Sequence, residues 1–124
     1  MPYMNDSLYD LLLQYIEDNG SRLDICSAEP ATVTAATVTL TLGNKTGITY
    51  TGPVDRTPNG RKTAVDAITG GSVTGSASAT HWAISKTTTA QSLLAAGLLA
   101  TAQSVTSGNT FSLAAFDVGV PDAV

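Results

Sequence analysis

The spacing of apolar positions changes once along the chain, near residue 20. Before it, Leu8, Leu11, Leu12, Tyr15 and Ile16 recur three and four residues apart, with Asp10, Gln14, Glu17 and Asp18 between them. That spacing draws one apolar stripe and predicts an α-helix over 5–19. Asn5, Asp6 and Ser7 are all good N-caps, and Asn19-Gly20 offers a left-handed stop. Glu17 and Asp18 oppose the helix dipole, since they sit at its negative end. The stripe, with Leu12 and Ile16, is expected to pack on a sheet. Leu13 falls off it, and with Tyr9 it is the candidate for meeting a partner subunit.

Beyond residue 20 the period drops to two. "SRLDICS" sets Leu23 and Ile25 against Arg22, Asp24 and Cys26. Residues 31–37 read as a loop with room for one helical turn. "TVTLTLG" alternates Val38, Leu40 and Leu42 with threonines and predicts a half-buried strand. "GITYTG" is a short strand, and "PVDRTPNG" has the composition of an exposed turn. "RKTAVDAI" is strand-like, with Val65 and Ala67 inward and Ile68 at a bulge or strand end. Gly70-Gly71 then reads as a hairpin turn leading into "SVTGSASATHWAISK". In that segment Trp82 and Ile84 share one face, expected to be the core, and His81 and Ala83 point the other way. "SLLAAGLL" is apolar on both faces, as in a strand buried on both sides; a short buried helix fits the same spacing. Ser107-Gly108-Asn109 is a turn. In "TFSLAAFDV" Phe111 and Leu113 face one way and Phe116 and Val118 the other, which implies a bulge.

About eight short strands with a turn signal every eight to twelve residues are the rhythm of an antiparallel sandwich. The expected fold is therefore mainly β: an antiparallel β-sandwich with one N-terminal α-helix, in a single domain over 1–124. The sandwich spans 21–118 and a tail 119–124. The expected core anchors are Leu12, Ile16, Leu23, Ile25, Leu40, Trp82, Ile84, Phe111 and Leu113.

Composition alters this picture in one respect. Charged residues make up 13% of the 124 residues, against about 25% in ordinary domains, with Thr, Ser, Ala and Gly filling the gap. A surface so poor in charge suggests that neighbours cover part of it. The net charge of −4 and the scattered Lys and Arg argue against a nucleic-acid ligand. The acidic N-terminal segment lacks the pattern of a signal peptide, and no apolar run is long enough for a membrane span. The one cysteine, Cys26, leaves no intrachain disulfide.

Catalytic and ligand motifs do not emerge. There is no G-x-S-x-G and no phosphate loop. One His and one Cys are too few for a structural zinc site within one chain. Cys26 is flanked by Asp24 and Glu29, the reverse of the electropositive setting a reactive thiol needs. A hydrolase pairing a Ser or Cys26 with His81 stays open as an alternative, and so does a carbohydrate platform built on Trp82. A lone Trp in a small β domain is more often a core anchor. No enzyme activity and no cofactor are expected.

The helix followed by "ICSAEP", the Thr/Ala-rich segment ending "LGNK", and then "NGRK", "GSASATHWAIS" and "TSGNTFSLAAFDVGVPD" together resemble small proteins encoded among the structural genes of tailed bacteriophages. The resemblance covers nearly the whole chain and brings no catalytic residues with it. It implies a virion component, assembled in a host cytoplasm, most specifically a capsid decoration (cement) protein on the outer head lattice. A tail-fibre or spike binding module is the alternative. The implied partners are the major capsid protein and copies of the chain itself, a trimer being favoured, with no nucleic acid and no membrane. The candidate contacts are Tyr9, Leu13, Arg56, Arg61, Lys62 and His81, together with the turn 53–62 and the tail 117–124.

Overall fold

The computed structural model describes residues 5–57, 60–88 and 90–120, with Asp6 and Val120 as backbone only. It is mainly β with antiparallel sheets and one N-terminal helix. The elements are α1 (Asp6–Asn19), β1 (Arg22–Cys26), a π-helical turn (Ala35–Thr39), β2 (Thr41–Thr46), β3 (Tyr50–Asp55), β4 (Arg61–Val65), β5 (Ile68–Val73), β6 (Ala77–Lys86), β7 (Ser92–Val105), β8 (Thr110–Leu113) and β9 (Phe116–Val120). One sheet has six strands in the order β7-β6-β1-β2-β5-β8, and the other has three in the order β3-β4-β9.

The two sheets bury a shared core, as alternation predicted for its main anchors. Leu23, Ile25, Trp82, Ile84, Phe111 and Leu113 come from the six-stranded sheet, and Val65, Phe116 and Val118 from the three-stranded one. The tilted Trp82 and Phe116 rings, centroids 4.8 Å apart, join the two layers. The chain crosses between sheets at Asp66–Ala67, which is why Ile68 ends one pattern and starts another. It also crosses at 47–49, between β2 and β3, and at Ala114–Ala115, the break implied by Phe111 and Phe116 facing opposite ways.

Several expected pairings are replaced. Gly70-Gly71 is no hairpin turn: Gly70, at φ 67°, lies within β5 at a register shift against β8. The strand carrying His81 and Trp82 therefore pairs with β1 and β7. Residues 37–39 wind into the π-helical turn instead of extending, and Val38 is exposed. Leu40 follows that turn and packs into a small second cluster with Cys26, Ala36 and Ala83, not into the main core. "SLLAAGLL" is part of an edge strand of 14 residues rather than a strand buried on both sides. β9 runs to Val120, past the expected limit of 118, and residues 121–124 of the tail lie outside the described residues.

The helix is rotated from its expected orientation. Asn5 caps it, its side chain accepting from the Ser7 amide at 2.8 Å, and Gly20 ends it at φ −82°. Tyr9 and Leu13, the expected partner contacts, are 2% and 0% exposed, and Ile16 packs against the core beside them. Leu12, an expected anchor, is 54% exposed. The buried face is a second apolar set, Tyr9, Leu13 and Ile16, and an ion pair tethers it to the sheet. Arg61 of β4 donates from Nε to Asp10 Oδ1 at 2.8 Å and from Nη2 to Oδ2 at 3.2 Å, and also binds Asp55. Asp10 and Glu17 share a helix face with Leu13, so holding that face against the sheet turns Leu8, Leu11, Leu12 and Tyr15 outward.

Glu17 meets the sheet less well. Its Oε2 is buried with no partner. Burial holds its pKa above the usual 4.5; a hydrogen bond with Thr63 works the other way, and Asp18 adds a smaller upward push. A raised folded-state pKa means that stability is full at low pH and falls as Glu17 ionises in the folded chain. Glu17→Gln is therefore expected to raise the melting temperature at pH 7 by about 3–4 °C, for about 1 kcal/mol. The gain should vanish below the ordinary value of 4.5, where the acid is neutral in both states. Thermal melts of both chains across that range check it, and an equal gain at low pH would rule out ionisation as the cause.

Candidate functional site

Cys26 and His81 are directly opposed in the β1–β6 register, on the face of the six-stranded sheet turned away from the core. Sequence reasoning left this Cys–His pair open, and the fold brings the two together. Their environment does not activate the thiol. Cys26 Sγ donates to the Ala36 carbonyl oxygen at 3.7 Å, and the π-helical turn covers it. Burial, and then the charge of Asp24, push the thiol up to about 12, whereas a nucleophilic cysteine needs a lowered pKa. His81 Nδ1 hydrogen-bonds the Thr80 hydroxyl at 2.8 Å. Iodoacetamide at pH 8 is accordingly expected to leave native Cys26 unmodified and to label it fully in denaturant. Rapid native labelling, read by mass spectrometry, would contradict the buried thiol.

The same face holds a buried charge that sequence reasoning did not single out. Asp24 is fully buried in β1, yet its carboxylate accepts from Arg22 Nε at 2.8 Å, Arg22 Nη2 at 2.9 Å and Thr41 Oγ1 at 2.7 Å. Arg22 also reaches the Thr37 carbonyl oxygen at 3.5 Å. This network fastens the 35–41 segment across the sheet. The alternation "RLDIC" carried the signal, because it puts Arg22 and Asp24 on one face.

The basic candidate contacts Arg56, Arg61 and Lys62 are held within the fold. Arg61 is held by Asp10 and Asp55, and Lys62 by Asp117 at 2.9 Å. Arg56 lies over Gly119, and its amide donates to the Gly60 carbonyl oxygen at 2.9 Å. The expected turn 53–62 is shorter than its composition implied: 53–55 belong to β3 and 61–62 to β4, and residues 58–59 between them lie outside the described residues.

A cleft of about 250 Å³ opens beside Trp82, lined by Leu98, Leu99, Gln103, Leu113 and Phe116 among others. Trp82 is only 8% exposed there, so its ring is committed to the core instead of standing as a platform. Among the described residues no group of three His, Cys, Asp or Glu is placed to hold a metal ion, and no helix is long and apolar enough to cross a membrane.

Among the described residues two surfaces stand out as uncovered. One is the helix stripe of Leu8, Leu11, Leu12 and Tyr15. The other is the outer edge of β7, the last strand of its sheet. Residues 87–116 contain no charged residue and no proline, so this edge lacks the lysines and prolines that usually guard one. Two register shifts against β6 are its only irregularities. No family model, curated protein or solved structure matches the chain.

Proposed function

We propose that this chain is a non-enzymatic structural protein of a tailed-bacteriophage virion, most specifically a head decoration protein that binds the outer capsid lattice and stabilises it. The observation that carries the reading is the uncharged edge of β7. An unguarded edge of this length is a hazard for a free monomer and an asset for a subunit that packs against neighbours. The resemblance to phage structural proteins supplies the particle, and the scarcity of charge fits a surface that assembly covers. Its partners are the major capsid protein and further copies of the chain.

The tail-fibre or spike alternative is less well supported, since it calls for Trp82 in an open groove. A Cys–His hydrolase is less well supported again, because the thiol it requires is shifted away from reactivity. Electron microscopy of the intact particle tests the proposal. Copies repeating over the head lattice are expected, with β7 or the helix at the contact. Density confined to the tail tip would overturn it.

A further inference from the structure

The helix is apolar on two faces, and only one of them, with Tyr9, Leu13 and Ile16, meets the core. Its acids Asp10 and Glu17 face the sheet, while Leu8, Leu11, Leu12 and Tyr15 stand 50%, 66%, 54% and 49% exposed. These four side chains form one stripe along a helix of 14 residues, about 21 Å long. With about half of each residue's surface or more in water, the patch is on the order of 400 Å², a size at which a surface patch marks a contact. We infer that this stripe pairs with the same stripe on a second copy of the chain, in an antiparallel two-fold helix pair centred between Leu11 and Leu12.

Three features choose a second copy as the occupant. The first is charge. Beside the stripe stand Ser7 and Gln14, which are neutral, and Asp18, whose Oδ1 accepts from Gln14 at 3.0 Å. Among the described residues the flank carries no cation to select an acidic partner. The second is complementarity. In an antiparallel pair centred at 11–12, Asp18 falls beside Asn5 and Ser7 of the second copy, at the positive end of the opposing helix. A parallel pair, or a parallel trimer, would crowd the Asp18 carboxylates together instead. The third is area. Two patches bury on the order of 800 Å², and the polar flanks bring this towards the roughly 1,200 Å² at the lower bound of specific pairs. The pair is therefore reversible, dissociating in the micromolar range. It goes beyond the virion reading and stands or falls without it.

Light scattering or sedimentation equilibrium over a micromolar to submillimolar range tests the pair. The mass is expected to rise from 12.7 kDa towards twice that value. Leu11→Glu should hold the chain monomeric throughout with an unchanged circular dichroism spectrum and melting temperature. Leu98→Glu, which alters another exposed leucine at 73% on β7, should leave the dimer intact. For orientation, Leu8→Cys and Tyr15→Cys chains mixed under oxidation should form mixed disulfide dimers, and neither variant alone should. Buried Cys26 does not compete. A mass that stays at 12.7 kDa, a trimer, a dimer indifferent to Leu11→Glu, or Leu8→Cys chains that cross-link among themselves would each overturn the inference.

Discussion

Arg22→Ala is expected to cost about 3 kcal/mol of stability, or roughly 10 °C in melting temperature. The loss comes less from the arginine than from what it leaves behind. Asp24 has no exposed surface, and two of its three hydrogen-bond donors belong to Arg22. Without them a carboxylate stays in the sheet with Thr41 alone, and an uncompensated buried charge is among the costliest single defects a core can carry. Replacing Asp24 by Asn in the same chain removes the charge and should restore part of the loss. Chemical unfolding of the single and double variants checks both statements. Equal stability of the two would show that packing of the arginine stem, not charge, sets the cost. The defect should also loosen the 35–41 segment, since Arg22 and Thr41 both anchor it.

Trp82→Ala is expected to cost about 4 kcal/mol, the scale for deleting a buried indole. The ring lies against Phe116 across the two sheets, and its other face is met by Gly97 of β7. A Cβ at residue 97 would come within 2.8 Å of the indole, so only glycine lets the edge strand approach so closely. Gly97→Val should therefore destabilise from the opposite direction, by about 1–3 kcal/mol through overpacking. Urea unfolding followed by circular dichroism measures both, as the alanine variant has lost the only tryptophan. A Trp82→Ala chain of unchanged stability would point to a ligand platform instead of a core anchor.

The core strands were legible because alternation is a local property. Leu23 with Ile25, Trp82 with Ile84 and Phe111 with Leu113 each face the core as their spacing required. Pairing is not local. β1 is the first strand of the chain, yet it sits between β6 and β2 at the middle of its sheet, and nothing in "RLDIC" names those neighbours. The helix was misread for a related reason. It has leucines on two faces, and a period of 3.6 identifies each face without saying which meets the sheet. The fit of Tyr9, Leu13 and Ile16 to the core selects the face, with the Arg61–Asp10 pair alongside, and Arg61 lies 51 residues from Asp10. Threonine misled at 37–39, where a good strand former winds into a turn because Thr37 Oγ1 bonds the Val33 carbonyl oxygen at 2.7 Å. Of the candidate contacts, only His81 kept the orientation its strand position implied. Tyr9 and Leu13 went inward, and Arg61 and Lys62 are paired with acids.

The uncharged stretch behind β7 has a consequence at the bench. All six lysines and arginines lie between Arg22 and Lys86. Amine-reactive reagents have no lysine to act on from there through β9, and trypsin has no bond to cut. A lysine-based map of the particle would report a contact made through this edge only from Lys86, at the end of β6 opposite Ser92, and would otherwise credit the interface to β2 and β4 through Lys45 and Lys62. Carboxylate-directed or photoreactive reagents placed at Asp117 or within β7 are the ones that can see it.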